Sequence, residues 1–112
     1  GASFVTFFEN NPHAQQAIKS NITMIGCESM VKIINGDVMK APHGTVATLA
    51  FFDPPYDQGI LSDVLAHFAG REWINPETLL VIELEKSSSP PENVTVIDTR
   101  IYGTSKILLA HL

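Results

Sequence analysis

The sequence predicts an α/β fold: a doubly wound, largely parallel sheet with helices on its faces, followed by an antiparallel hairpin. Strand-like and helix-like segments alternate as far as Glu85, which is typical of parallel strands joined by right-handed crossovers. Two strand-like runs then follow, separated only by Gly103-Thr104-Ser105, a connection of hairpin length. The chain has 112 residues, of which 45% are hydrophobic and 17% charged, as expected for one globular domain.

The first part of the chain predicts a strand, a helix and a second strand. SFVTFFE (residues 3–9) is rich in aromatic and β-branched residues and predicts the first strand. Asn10-Asn11-Pro12 then offers a cap and an N1 proline, and apolar residues recur at helical spacing up to Ile25, before Gly26. A helix is therefore expected over residues 12–25. MVKIING (residues 30–36) predicts the second strand.

The remaining elements follow in the same way. TVATLAFF (residues 45–52) is an uncharged run that predicts a third strand covered on both faces, and Pro54 and Pro55 must end it because proline donates no ladder hydrogen bond. An apolar stripe from Ile60 to Phe68 predicts a helix that ends at Gly70. TLLVIELE (residues 78–85) predicts a fourth, buried strand. After a proline-broken loop, VTVIDTRIY and KILLAHL predict the hairpin.

Composition limits the possible functions. Seven Lys and Arg stand against twelve Asp and Glu, a net charge of −5, which argues mildly against a broad nucleic-acid-binding surface. The single cysteine, Cys27, cannot form an internal disulfide and is interpreted as a small apolar filler. No apolar stretch predicts a membrane span or a signal peptide, so we expect a cytoplasmic protein. The four histidines lack metal-ligand spacing, so no metal site is predicted.

An acid stands at the carboxyl end of each of the first three predicted strands: Glu9 ends the first, and Asp37 and Asp53 follow the second and the third. Ligands of doubly wound sheets bind beyond the carboxyl ends of the strands, so these acids are expected at one edge of the sheet. Such acids can accept hydrogen bonds from both hydroxyls of a ribose or from an exocyclic amine. The edge therefore predicts a nucleoside ligand.

Four segments carry a resemblance to a known family: GASFVTFFENNPHAQQAIKSN, INGDV, FFDPPYDQG and IYGTSKILL. Over essentially the whole chain, they resemble the S-adenosylmethionine-dependent methyltransferases of the RsmD type, which methylate the exocyclic N2 of a guanine in small-subunit ribosomal RNA. In the wider class, a D/N-P-P-Y/F tetrapeptide marks enzymes that methylate amino or amide nitrogens. The resemblance implies a Rossmann-like class I methyltransferase domain, and a partly assembled small ribosomal subunit as partner.

The resemblance also implies a role for each candidate site residue. Glu9 would hold the ribose hydroxyls of S-adenosylmethionine, and Asp37 would lie near the adenine amine, with the Val38 backbone amide beside it. Asp53, Pro54, Pro55 and Tyr56 would form the target-base pocket. There, the Asp53 carboxylate and the Pro54 carbonyl would accept hydrogen bonds from the guanine amine, and Tyr56 would stack on the flipped base.

One family feature has no match in the sequence. Family members begin with a strand and a glycine-rich turn of the D-x-F-x-G-S-G-x-x-G kind, so we expect residues 1–112 to be the carboxyl-terminal part of a methyltransferase domain. The full sheet would have the order 3-2-1-4-5-7-6, with strand 1 between the strands that carry Glu9 and Asp53. We expect the chain alone to be inactive and to self-associate through the two strand edges left unpaired.

Other interpretations of the same residues stay open. The protein could instead methylate adenine N6 in DNA or a glutamine side chain, or it could be a non-catalytic fragment or binding module. Strand-end acids also commonly cap turns, and a proline turn with a packed tyrosine is an alternative for the tetrapeptide. Asp53 rather than Asn, and the Tyr102-Gly103 turn, favour the ribosomal RNA group.

Glu83 and Glu85, at the end of the fourth predicted strand, are a separate case. For these two acids, a solvated position or a pairing with Lys86 is favoured over catalysis.

Overall fold

The computed structural model describes residues 1–54 and 58–112 and divides the chain into two compact units, Gly1–Ala41 and Pro42–Leu112. The helices and strands of the first unit are β1 (Val5–Phe8), α1 (Pro12–Ile25) and β2 (Val31–Ile34). Those of the second unit are β3 (Leu49–Phe52), α2 (Gln58–Gly70), β4 (Leu79–Glu85), β5 (Thr95–Tyr102) and β6 (Ser105–His111).

In the first unit, α1 connects two parallel strands. β1 and β2 pair in register from Val5 opposite Val31 to Phe8 opposite Ile34. The side chain of Asn11 caps α1 by accepting hydrogen bonds from two backbone amides of its first turn. The helix ends at Gly26, whose φ of 76° is left-handed, a conformation that glycine adopts without strain. The bounds predicted for this helix are therefore confirmed.

The second unit contains a four-stranded sheet of order β3-β4-β6-β5. β3 and β4 are parallel, whereas β6 runs antiparallel to both β4 and β5. The predicted hairpin is confirmed, although Ser105 belongs to β6 and pairs with Tyr102, so the turn itself is Gly103-Thr104. A register shift between Val96 and Asp98 interrupts the β5 ladder near its start.

The core of the second unit lies between α2 and one face of this sheet. The buried stripe of α2 consists of Leu61, Val64, Leu65 and Phe68. The Phe68 ring meets the Phe52 ring of β3 edge-on at 5.9 Å, which places this stripe on the face of the sheet that carries Phe52. On the same face, the buried residues of β4 and β6 are Leu80, Ile82, Leu84, Leu108 and Ala110. This packing buries the α2 side of the two central strands, β4 and β6.

The prediction that β3 is covered on both faces is wrong for this structure. Leu49 and Phe51, on the face away from α2, are 54% and 58% exposed. β4 was likewise predicted as buried, but it alternates between buried residues and half-buried ones such as Val81. Among the described residues of this unit, α2 is the one α-helix, and a single helix covers only one face of a sheet.

The third strand also begins later than predicted, at Leu49. The preceding segment bonds instead to the connection between α2 and β4: the Gly44 N–H donates to the Arg71 carbonyl, and the Ala47 N–H donates to the Trp73 carbonyl, both at 2.9 Å. Backbone groups committed to this connection do not enter the β3 ladder.

The described strands form two separate sheets, one in each unit. Within the described residues, β1 pairs only with β2, and β3 pairs only with β4. The two strand orders, β2-β1 and β3-β4-β6-β5, match the two parts of the sheet that the resemblance implied on either side of a further strand. Within the described residues, β1 and β3 therefore each have one edge without a strand partner.

Candidate active site

Glu9 lies directly after β1, where its backbone N–H extends the parallel ladder by donating to the Ile34 carbonyl at 3.1 Å. Its half-buried side chain accepts a hydrogen bond at Oε1 from the Asn11 N–H, at 3.0 Å. Asn11 is the cap of α1, so one carboxylate oxygen stabilises the start of that helix. The other oxygen, Oε2, accepts no hydrogen bond from the described residues and can serve a ligand.

Gln15 joins the carboxyl ends of β1 and β2. Its side-chain amide Nε2 donates to the Glu9 carbonyl at 2.7 Å and to Asn35 Oδ1 at 2.8 Å. These two bonds hold the backbone that carries Glu9 against the loop that leads to Asp37. The sequence analysis missed Gln15. Its only signal in the sequence is its position in the first turn of α1, close to Glu9.

Asp37 follows β2 by way of Gly36, whose φ of 124° is accessible to glycine and strained for other residues. Its Oδ1 accepts a hydrogen bond from the Met39 N–H at 2.9 Å, so Asp37 caps the short 3-10 turn Val38–Lys40. The Val38 N–H makes no hydrogen bond within the described residues. The local fold thus presents one donor and one unengaged carboxylate oxygen next to each other in sequence.

Asp53 and Pro54 follow β3 directly, as predicted. The last residue pair of the parallel ladder is Phe52 opposite Ile82, so Asp53 emerges at the carboxyl end of β3, beside β4. Its side chain is exposed, whereas Pro54 is half-buried. Pro55 and Tyr56, the other two residues of the predicted pocket, lie outside the described residues.

The structure adds no ion pair with Lys86, metal site or membrane helix to the features discussed from the sequence, within the residues that it describes. Within the described ranges, neither Glu83 nor Glu85 forms an ion pair with Lys86. Residues 1–54 and 58–112 contain no group of three His, Cys, Asp or Glu side chains that could hold a metal ion. Across residues 1–54 and 58–112, none of the helices has the length and apolar character needed to cross a membrane.

The first unit offers hydrogen-bond donors and acceptors of the kinds that could hold an adenosine. Glu9 Oε2 and the second oxygen of Asp37 are acceptors for hydroxyl or amine groups, and the Val38 N–H is a donor for a ring nitrogen. All three follow adjacent parallel strands at their carboxyl ends, where doubly wound sheets bind nucleotides.

Comparisons with known proteins identify the group to which this arrangement belongs. The family model described as "Conserved hypothetical protein 95" matches residues 1–111. A ribosomal RNA small subunit methyltransferase D of Buchnera aphidicola is 28% identical over 105 residues, which are 89% of this chain and 54% of that protein. An uncharacterized methylase of Rickettsia prowazekii is 33% identical over 66 residues, which are 57% of this chain and 28% of that protein. The chain thus spans about half or less of the length of these relatives.

Solved structures agree on the fold. A conserved hypothetical protein of Streptococcus pyogenes superposes with a TM-score of 0.85 at 24% identity, covering 99% of this chain and 72% of that one. The ribosomal RNA methyltransferase aviRa of Streptomyces viridochromogenes gives a TM-score of 0.67 at 11% identity, covering 96% and 65%. At such identities the likeness concerns the fold alone, and that fold is the Rossmann-like class I methyltransferase fold predicted from the sequence.

Proposed function

The chain belongs to the family described as conserved hypothetical protein 95, and from this premise we propose that it takes part in S-adenosylmethionine-dependent methylation of the exocyclic N2 of a guanine in small-subunit ribosomal RNA. The observation that carries the proposal is the position of Asp53 and Pro54 immediately after β3, at the carboxyl end of a parallel pair of strands. The name of the Buchnera relative supports the class of RNA.

Three residues of the first unit would hold the cofactor. Glu9 accepts hydrogen bonds from the ribose hydroxyls at Oε2, the carboxylate oxygen that the Asn11 N–H leaves unengaged. The Val38 N–H donates a hydrogen bond to a nitrogen of the adenine ring, and the Asp37 carboxylate accepts one from the adenine amine. When bound, S-adenosylmethionine supplies an electrophilic methyl group on its sulfonium. The task of these side chains is to bind and orient the adenosine part.

The target amine would be positioned by residues of the second unit. The Asp53 carboxylate and the Pro54 carbonyl accept the two N–H bonds of the guanine amine, while Tyr56, outside the described residues, stacks on the base. The nitrogen lone pair of such an amine is delocalised into the ring. Two acceptors aligned on its protons favour a pyramidal nitrogen whose lone pair can point at the methyl group. Catalysis then comes mainly from positioning and electrostatic stabilisation.

The test is methyl transfer by the protein expressed from its whole open reading frame. Immature small ribosomal subunits and tritiated S-adenosylmethionine are the substrates, and digestion to nucleosides identifies the product, which we expect to be N2-methylguanosine. Asp53→Ala should lower the rate at least about 100-fold, the usual cost of losing one preorganised electrostatic contact at a reacting group. Asp63→Ala, which removes an exposed acid of α2, is the matched control and should keep the rate.

Other products would decide for the alternatives. Tritium in N6-methyladenosine would show that the target is adenine and not guanine. Tritium in a methylated glutamine side chain would show that the target is a protein. A protein that binds S-adenosylhomocysteine and yet labels none of these substrates would be a binding module, and the proposal would be wrong.

A further inference from the structure

The β5–β6 turn and the end of β4 enclose an open groove of about 800 Å³ in the second unit. We call it the hairpin groove. Its lining residues are Glu85, Lys86, Ser87, Gly103, Thr104 and Ser105. Since β3 and β4 are parallel and in register, the groove lies at the same edge of the sheet as Asp53.

Hydrogen bonds fix the two walls of the groove to each other. The Lys86 N–H donates to the Thr104 carbonyl at 2.8 Å, and Glu85 pairs with Ser105 across the β4–β6 ladder. The Lys106 ammonium donates to the Ser88 carbonyl, which holds the outgoing loop in place.

Lys86 supplies the available positive charge of the groove. Of the other Lys and Arg side chains in the second unit, Arg100 donates to Asp98 at 2.9 Å, a bond that raises the pKa of Arg100 and lowers that of Asp98. Lys106 is engaged with Ser88, and Arg71 lies at the opposite end of the sheet, after α2. The exposed Lys86 ammonium has no partner among the described residues.

The groove also offers uncharged donors. Its hydroxyl groups belong to Ser87, Thr104 and Ser105, and none of them makes a hydrogen bond within the described part of the chain. One ammonium together with several hydroxyls is the set of donors that proteins use for a phosphate oxygen. Tyr102, which precedes the turn and is 65% exposed, adds an aromatic surface on which an unpaired base can stack.

We propose that the hairpin groove binds a phosphate of the RNA strand next to the target guanosine. The proposal rests on the proposed function, because it takes the edge of the sheet at Asp53 as the place of the target base. With seven basic and twelve acidic side chains, residues 1–112 favour local phosphate contacts over a broad RNA-binding surface. The Glu85 carboxylate repels a phosphate in this groove, whereas the Lys86 ammonium attracts it. Removing the charge of Glu85 should therefore raise RNA affinity, and removing the charge of Lys86 should lower it.

The test measures RNA affinity separately from catalysis. A fluorescein-labelled single-stranded RNA with an unpaired guanosine is titrated with the protein from the whole open reading frame, with S-adenosylhomocysteine present, by anisotropy at several KCl concentrations. Lys86→Gln should weaken binding about three- to tenfold at low salt and reduce the slope of log K against log salt by about 0.7, the value for one phosphate contact on a single strand. Glu85→Gln should tighten binding.

Arg71→Gln is the matched control, because it removes one positive charge at the opposite end of the same sheet, and it should change neither the affinity nor the slope. The proposal is overturned if Lys86→Gln and Arg71→Gln behave alike, if Glu85→Gln weakens binding, or if the unsubstituted protein does not bind the RNA. Formation of N2-methylguanosine is scored in the separate transfer assay. If Lys86→Gln leaves RNA affinity unchanged while the unsubstituted protein still forms N2-methylguanosine, the role of the groove is rejected and the proposed function stands.

Discussion

Glu9 combines a structural and a proposed ligand-binding task in one carboxylate. Its position after β1 could be predicted, because the end of a strand and the start of a helix are both marked in the local sequence. Its bond to Asn11 and the support from Gln15 could not be predicted in the same way. Those contacts depend on how α1 is rotated over the two strands, and apolar periodicity leaves that rotation open.

Removing the Glu9 carboxylate should weaken cofactor binding. We expect Glu9→Ala to cost about 1–3 kcal/mol of binding free energy for S-adenosylhomocysteine, the range for hydrogen bonds to a charged group. Asp53→Ala should leave this affinity nearly unchanged, because Asp53 is proposed to face the target amine. Calorimetric titration of both variants, in the protein from the whole open reading frame, measures the difference.

Glu28→Ala is the control for this comparison. Glu28 is an exposed acid in the short turn before β2, at the amino end of the strand whose carboxyl end leads to Asp37. It should bind S-adenosylhomocysteine like the unsubstituted protein. Equal losses for Glu9→Ala and Asp53→Ala would contradict the division of roles between the two acids.

At the scale of elements, local signals and tertiary contacts differ in how well a sequence reveals them. The bounds of α1 were predicted correctly, because Asn11, Pro12 and Gly26 act within a turn of the residues that they begin or end. The start of β3 was not, because residues 45–48 are β-branched or apolar like a strand but bond to the connection after α2. A propensity for β structure is readily overridden by such contacts.

Gly44 is the test of that connection. A Cβ built on Gly44 would overlap the Trp73 indole, whose Nε1 donates to the Pro42 carbonyl at 2.7 Å. We expect Gly44→Ala to lower the free energy of unfolding of the second unit by about 1–3 kcal/mol, the usual cost of overpacking. Urea unfolding followed by circular dichroism measures this change.

Gly70→Ala gives the opposite expectation in the same assay. Gly70 is the last residue of α2, and a Cβ there meets no atom within 4 Å. Alanine should therefore leave stability unchanged or raise it by up to about 1 kcal/mol. Similar losses in both variants would show that the Trp73 contact does not set the cost at Gly44.

At the scale of the whole molecule, the resemblance to a family predicted the strand order within each of the two sheets. The exposed face of β3 was not predicted. An uncharged run such as LAFF is typical of a strand with both faces covered, whichever part of the molecule covers them. The run shows that a strand is suited to burial. It does not show which part of the molecule buries it.

The open edge and the exposed Phe51 predict that the isolated 112-residue chain self-associates. Phe51→Lys should weaken this association roughly 10- to 100-fold, because it removes an aromatic side chain that association would bury and puts a charge on the edge strand. Sedimentation equilibrium measures the dissociation constant. Ile97→Lys changes an equally exposed residue, 58%, on β5 at the other edge of the sheet. If Ile97→Lys has the larger effect, the β5 edge rather than the β3 edge is the contact.

Trp73 turns the division of the chain into something that can be followed in solution. It is the single tryptophan of the sequence, and its indole is bonded within the unit Pro42–Leu112. Tryptophan fluorescence therefore reports on that unit, whereas far-ultraviolet circular dichroism also records α1. A denaturation followed by both signals separates the unfolding of the two halves, with no dye, label or added mutation.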